Sequence, residues 1–253
     1  MVIFIGAGPG DPELLTIKGK KEIDSADVII YAGSLVNPAV LDGRKPAAEV
    51  YNSATMDLDE VIGVMKDASS KGKKVVRVHT GDPSIYGAVR EQIDRLDELG
   101  IGSEVIPGVS SFVAAAAVLR KEYTLPSKSQ TVILTRMEGR TPVPPKEKLI
   151  DLAKHNTSMV IFLSIGFMDE LVRTLKEAGY RPDTPVAVVY KATWPDQRIL
   201  LGTVDDIADK VRGSKIERTA LTLIGDFLGN EYELSKLYDR NFSTMFRKGA
   251  GDR

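Results

Sequence analysis

The chain has 253 residues, enough for a substantial core and for two domains. A net charge of -1 leaves no global basic field for nucleic acid or an anionic membrane, and the absence of cysteine removes disulfides, thiolate metal sites and cysteine nucleophiles together. No apolar run reaches transmembrane length and Gly6 ends "VIFI" too early for a signal peptide, so a cytoplasmic location is expected.

Short apolar runs alternate with longer helical patterns, which predicts an α/β chain with parallel strands. In chain order, strands are expected at Val2–Ile5, Val28–Tyr31, Val75–His79 and Glu104–Ile106. Helices are expected over Leu14–Ser25, Leu58–Ser69, Ser84–Leu99 and Ser110–Leu119. These make a first domain, 1–119, with a mainly parallel sheet. The polar stretch 120–130, "RKEYTLPSKSQ", reads as a linker. A second domain, 131–241, starts again with strands at Thr131–Thr135, Ser158–Leu163, Pro185–Tyr190, Gln197–Thr203 and Ala220–Gly225, with helices at Met168–Ala178 and Asp205–Val211. Its run "PVAVVYKATWPDQRILLGT" reads as strand, connection and strand, so this sheet should be mixed. Residues 242–253 form a charged tail, whose end is expected to be mobile.

Three strand ends carry glycine turns. The first, "GAGPGD", resembles a dinucleotide loop but fails its test. The third glycine, Gly10, comes one residue early, and the second strand ends at Tyr31-Ala32-Gly33-Ser34 with no acid for a ribose. No Gly-Lys-Ser/Thr follows, so a P-loop fails as well. The plain alternative is a tight strand-to-helix turn, with Asp11 as N-cap and Pro12 behind it. The second turn is Thr80-Gly81-Asp82-Pro83, where Asp82 is positioned to cap a helix or to hold a ligand's polar group. The third, "PGVSSF", places Ser110 or Ser111 at a helix start. In open α/β sheets, ligands bind beyond the carboxyl ends of the strands.

In this order and spacing, "GAGPGDPELLT", "GDPSIYG" and "PGVSSF" resemble the tetrapyrrole (uroporphyrinogen/precorrin) methyltransferases. The resemblance runs through "PVAVVYKAT" to "TALTLIG" and so covers nearly the whole chain. Within that family, "YAGSLVNP" and "YNSATMDLDE" are similar to the branch acting on precorrin-4 or cobalt-precorrin-4 at C11 in cobalamin biosynthesis. The resemblance implies two α/β domains with S-adenosylmethionine in a cleft between them, a tetrapyrrole substrate and a homodimer. It implies cofactor contacts at Pro9, Thr80, Gly81, Asp82, Ile85, Ser110, Ser111, Leu163, Ala192, Thr219 and Ala220. Substrate contacts are expected at Gly8, Ser34, Ser53, Tyr86, Arg136 and Arg140. The chain departs from the uroporphyrinogen-III branch at Ala32 and at Ser53, where that branch has ionisable residues. No catalytic acid or base is therefore assigned. Alternatives are another tetrapyrrole methylation step, a nucleotide-dependent oxidoreductase and a non-catalytic tetrapyrrole carrier.

A tetrapyrrole edge bears several carboxylates, which calls for Arg or Lys donors. Arg120, Lys121, Arg136 and Arg140 are candidates, with solvated surface charge as the plain alternative. Trp194 and Tyr86 are candidates for stacking on the macrocycle or adenine, with packing as the default. His79 and His155 are the chain's two histidines, too few without cysteine for a protein zinc site. His79 reads more naturally as a hydrogen-bonded strand-end residue than as a substrate contact.

Overall fold

The computed structural model describes residues 1–250 and resolves two compact units. The first comprises Met1–Val118 together with Lys191–Arg198, and the second comprises Leu119–Tyr190 and Ile199–Arg253.

The first unit is built on five parallel strands: β1 (Val2–Gly6), β2 (Val28–Tyr31), β3 (Glu49–Asn52), β4 (Val75–His79) and β5 (Ser103–Ile106). Their order is β3-β2-β4-β1-β5. Because side chains alternate across a strand, each apolar run feeds two cores. Ile3, Ile5, Ile29, Val76 and Val78 face one side, with Ile23 of helix α1 (Ile17–Asp24) and Val36 and Val40 of the loop after β2. Val2, Phe4, Val28, Ile30 and Val75 face the other. There they meet Val61, Ile62 and Met65 of α2 (Leu58–Ser70) and Leu96 of α3 (Val89–Glu98). A fourth helix, α4 (Ser111–Leu119), follows β5.

Two expectations are corrected here. The helix expected from Leu14 starts later: Asp11 caps only a 3-10 turn at Pro12–Leu14, and α1 begins after Thr16, whose hydroxyl accepts from Gly19 N at 3.0 Å. The helix expected from Ser84 begins at Val89, because Tyr86 and Ala88 have φ of 55° and 48° and break the helical path. Strand β3 was not foreseen.

The second unit holds β6 (Val132–Arg136), β7 (Ser158–Phe162), β8 (Pro185–Tyr190), β9 (Arg198–Thr203, whose first residue lies in the first unit) and β10 (Ala220–Ile224). Their order is β6-β7-β10-β8-β9. β6 and β7 are parallel, whereas β10 runs antiparallel to both β7 and β8, so the sheet is mixed. Helices α5 (Leu149–Ala153), α6 (Met168–Glu177) and α7 (Ile207–Ser214) close its main core through Leu149, Leu171, Leu175, Ile207 and Val211. The stretch 120–130 is packed: Tyr123 is buried and its carbonyl accepts from Ser158 Oγ at 2.7 Å. The final turns fold around Arg247, whose guanidinium donates to the carbonyls of Leu237, Asp239 and Phe242 at 2.7–3.3 Å. The last part of the predicted tail, 251–253, lies outside the described residues.

Candidate functional site

All five strands of the first unit run the same way, so their carboxyl ends share one edge. The strand order makes β1 the neighbour of both β4 and β5, with Gly6 paired to His79 and Ile5 paired to Ile106. The three glycine turns are therefore brought side by side. Ala7 N donates to His79 O at 2.8 Å, and Gly8 and Gly81 form an isolated antiparallel bridge with N–H to O distances of 3.2 and 2.8 Å. Asp82 joins the second turn to the third, accepting from Gly108 N at 2.8 Å on one oxygen and from Ser84 N at 2.9 Å on the other. Burial opposes ionisation of Asp82, but the Ser84 and Gly108 donors outweigh it and hold the carboxyl below its ordinary value.

The turns approach one another at backbone distance. A Cβ placed on Gly108 would stand 2.2 Å from Gly81 O and 2.7 Å from Gly6 Cα. No side chain fits there, which explains the glycines on packing grounds.

A second layer comes from far along the chain. Trp194, in the segment 191–198, lies against Gly10 and donates from Nε1 to Pro9 O at 2.9 Å. Thr193 Oγ1 accepts from Asp11 N at 3.0 Å. Lys191 places its ammonium 4.8 Å from the indole centroid and pairs with Asp196 at 2.7 Å. From the other side, Asn37 Nδ2 donates to Gly10 O at 2.8 Å.

The expected residues of this unit thus gather at one edge. Gly8 and Pro9 follow β1, Ser34 follows β2 and Ser53 follows β3. Thr80, Gly81, Asp82, Ile85 and Tyr86 follow β4, and Ser110 and Ser111 follow β5. Ala192 is buried in the segment that carries Trp194. Ser53 Oγ donates back to Tyr31 O at 3.2 Å, linking the ends of β2 and β3. Trp194 takes the packing role that is its default: its ring covers Gly10 and its N–H is committed to Pro9. Sequence reasoning missed Asn37 and Thr193, whose partners lie 27 and 182 residues away and leave no local signal.

In the second unit, Leu163 follows β7 and Thr219 precedes β10. The antiparallel register that pairs Thr222 with Ile161, continued outward, brings Ala220 level with Leu163. Leu163 and Thr219 both adopt positive φ, 53° and 57°, and Leu163 is 64% exposed. Such strain in a non-glycine residue collects at functional positions. Arg136, at the end of β6, is not a bare cation: it donates to the carbonyls of Met137, Thr141 and Pro142 at 3.1, 3.2 and 2.7 Å and closes its own loop. Arg140 is exposed on that loop. Lys121 Nζ is held by Gly229 O at 2.6 Å. Among the described residues no cluster of three His, Cys, Asp or Glu is arranged to hold a metal, and no helix is long and apolar enough to cross a membrane.

A parallel sheet with helices on both faces and its glycine turns gathered at the carboxyl edge defines the class. The family model for Tetrapyrrole (Corrin/Porphyrin) Methylases matches residues 1–208, and the chain belongs to that family of methyltransferases. A cobalt-precorrin-4 C(11)-methyltransferase from Methanocaldococcus jannaschii is 60% identical over 98% of this chain and 96% of its own. The solved structure of a cobalt precorrin-4 methyltransferase of cobalamin biosynthesis superimposes with a TM-score of 0.88 at 50% identity, covering 90% of this chain and 96% of the other. A uroporphyrin-III C-methyl transferase from Thermus thermophilus, solved with S-adenosyl homocysteine, gives a TM-score of 0.76 at 26% identity over 90% of this chain and 93% of its own.

Proposed function

We propose that this protein transfers a methyl group from S-adenosylmethionine to C11 of cobalt-precorrin-4 in cobalamin biosynthesis. The observation that carries the reading is the 60% identity to a cobalt-precorrin-4 C(11)-methyltransferase along 98% of the chain.

The chemistry of the turns supports the donor. Residues 7–11, 80–85 and 107–111 contain no Lys or Arg and two acids, Asp11 and Asp82. Such a cluster repels a pyrophosphate and suits a sulfonium, which disfavours the oxidoreductase reading. Backbone N–H and C=O groups, the hydroxyls of Thr80, Ser110 and Ser111 and the apolar Ile85 suit a ligand with polar ends and an apolar middle. S-adenosylmethionine supplies a methyl group already activated on sulfur. The residues named for it, Pro9, Thr80, Gly81, Asp82, Ile85, Ser110, Ser111 and Ala192, then bind, orient and exclude water. Gly8, Ser34, Ser53 and Tyr86 share the same edge and are assigned to the macrocycle. No general base is assigned: the C–CH3 bond forms as the S–CH3 bond breaks, S-adenosylhomocysteine departs as a neutral thioether that needs no acid, and the proton that the methyl group replaces passes to solvent. A homodimer in the cytoplasm completes the proposal, on family grounds.

Incubation with S-adenosylmethionine and cobalt-precorrin-4 should yield a product heavier by one methyl group in place of hydrogen, read by mass spectrometry. A product formed only from cobalt-free precorrin-4, or from uroporphyrinogen III, would redirect the assignment within the family.

A further inference from the structure

Beneath the turn that follows β4 lies a group of polar side chains that the proposed chemistry does not use. Arg77 and His79 project from β4 into the core shared with Phe4, and Gln92 reaches them from α3. All three are buried, with exposures of 7%, 4% and 5%. Burial of polar and charged groups on this scale costs free energy unless each has a partner.

Their partners are specific. Arg77 Nε donates to Gln92 Oε1 at 3.2 Å and its Nη1 to Ile30 O at 3.4 Å. This fixes the Gln92 amide so that Nε2 donates to Ala88 O at 3.0 Å. His79 bonds the backbone of Gly87, while its Nε2 is buried with no partner among the described residues. The donor is therefore Nδ1–H, and the imidazole is in the neutral tautomer carrying that proton. Two consecutive carbonyls, Gly87 and Ala88, are thus held from below by two separate side chains.

Those carbonyls belong to a strained segment. Tyr86 and Ala88 have φ of 55° and 48°, and a Cβ on Gly87 would lie 2.2 Å from Pro83 O. A non-glycine left-handed residue persists only when its surroundings over-determine it. At its start the same segment is fixed by Asp82, through Gly108 and Ser84. Between the two anchors lie Ile85 and Tyr86.

We propose that Arg77, Gln92 and His79 form a positioning network that holds the 86–88 backbone in its strained conformation and so sets Ile85 and Tyr86 for the methyl donor and its acceptor. None of the three is a catalytic residue; each acts through the turn. The proposal rests on the methyl-donor reading only for the identity of the ligand.

The test uses the full chain with S-adenosylhomocysteine as probe. His79→Leu removes the donor to Gly87, His79→Asn returns an amide N–H near the Nδ1 position, and Gln92→Leu removes the donor to Ala88. Affinity is read by calorimetry, and the turn by amide hydrogen exchange across residues 85–88. Loss of a buried hydrogen bond predicts about tenfold weaker binding and faster exchange for His79→Leu and Gln92→Leu. His79→Asn should restore both. Unchanged exchange in the leucine variants overturns the network, and faster exchange with unchanged affinity overturns the positioning role. If His79→Leu fails to fold, Gln92→Leu carries the same test with His79 in place. Failure of the wild-type protein to bind the probe would overturn the methyl-donor reading instead, and the exchange readout would still decide on the network.

Discussion

Trp194 donates its indole N–H to the carbonyl of Pro9, 185 residues earlier, at 2.9 Å, and lays its ring on Gly10. The opening glycine loop is therefore held by contacts as much as by its own turn geometry. Thr193 and Asn37 hold its neighbouring backbone from two other elements. The absence of a side chain at Gly10 is what lets the indole approach.

Gly10→Ala tests that clamp. The new Cβ would stand 2.1 Å from Trp194 Cδ1, so the ring must leave. Trp194 is the sole tryptophan, so its fluorescence reads the clamp directly. The emission should shift to the red, and S-adenosylhomocysteine should bind about tenfold more weakly, as expected for losing a hydrogen bond and its packing at a ligand loop. An unshifted spectrum with normal affinity would show that the loop needs no clamp.

Gly108→Ala attacks the junction of the three turns. Here the contacts are backbone, 2.2 Å to Gly81 O and 2.7 Å to Gly6 Cα, so no side chain can swing aside. Overpacking against movable neighbours costs about 1–3 kcal/mol, and a backbone contact belongs at or above the upper end. Chemical denaturation monitored at Trp194 should show that loss. By contrast, Gly63→Ala on α2, where nothing lies within 4 Å of the new Cβ, should be neutral or stabilising.

Much of this arrangement was legible in the sequence. Val28–Tyr31, Val75–His79 and Pro185–Tyr190 were read to the residue, because unbroken apolar runs meet polar or glycine boundaries at both ends. The glycine turns were legible for the same reason. β3 escaped because it is an edge strand with a largely exposed sequence, "EVYN", and α5 because five residues carry too little periodicity. Asp82-Pro83 is a good capping pair and so predicts too early a start for the helix after β4. What stops it is the left-handed backbone at Tyr86 and Ala88, held by His79 and Gln92 from outside the segment. Likewise nothing local to "KATWPDQ" announces a partner in the first loop.

Asp82 links two turns, and its two variants should separate charge from shape. Asp82→Ala removes the acceptors for Gly108 N and Ser84 N, leaving two donors without partners. A loss of about 1–3 kcal/mol in stability is expected, with weaker cofactor binding. Asp82→Asn keeps one acceptor oxygen and should lose less. The folded carboxyl sits below its ordinary value of 3.8, so its contribution is complete above that value and fades as pH falls through the lower folded one. Wild-type protein should therefore lose this stability only in strong acid, and Asp82→Asn should not. At saturating substrates, turnover in Asp82→Asn should fall by less than about 10²-fold, the lower edge of a general-base effect. A larger fall, with cofactor affinity intact, would show that the carboxylate takes part in the chemistry.

The last expectation concerns acid sensitivity in a milder range. Burial, the positive charge of Arg77 on the same strand and the small opposing effect of the Gly87 hydrogen bond bring the His79 pKa from 6.5 down to about 3. Phe4, which packs against the ring from β1, brings no charge that could offset Arg77. The folded state therefore holds His79 neutral, whereas the unfolded chain takes up a proton below 6.5. A depressed pKa gives stability that is complete above the unfolded value and is lost as pH falls toward the folded one. Between pH 7 and pH 5 this group alone should remove about 2 kcal/mol, since each pH unit below the unfolded pKa is worth about 1.4 kcal/mol. His155 is present in both proteins and drops out of their difference. Urea denaturation of wild type and His79→Asn at the two pH values, followed at Trp194, isolates the effect as a difference of differences. Wild type should lose about 2 kcal/mol more than the variant. Equal losses would mean that His79 is protonated in the folded protein at pH 5, and that its buried Nε2 has a partner or water access.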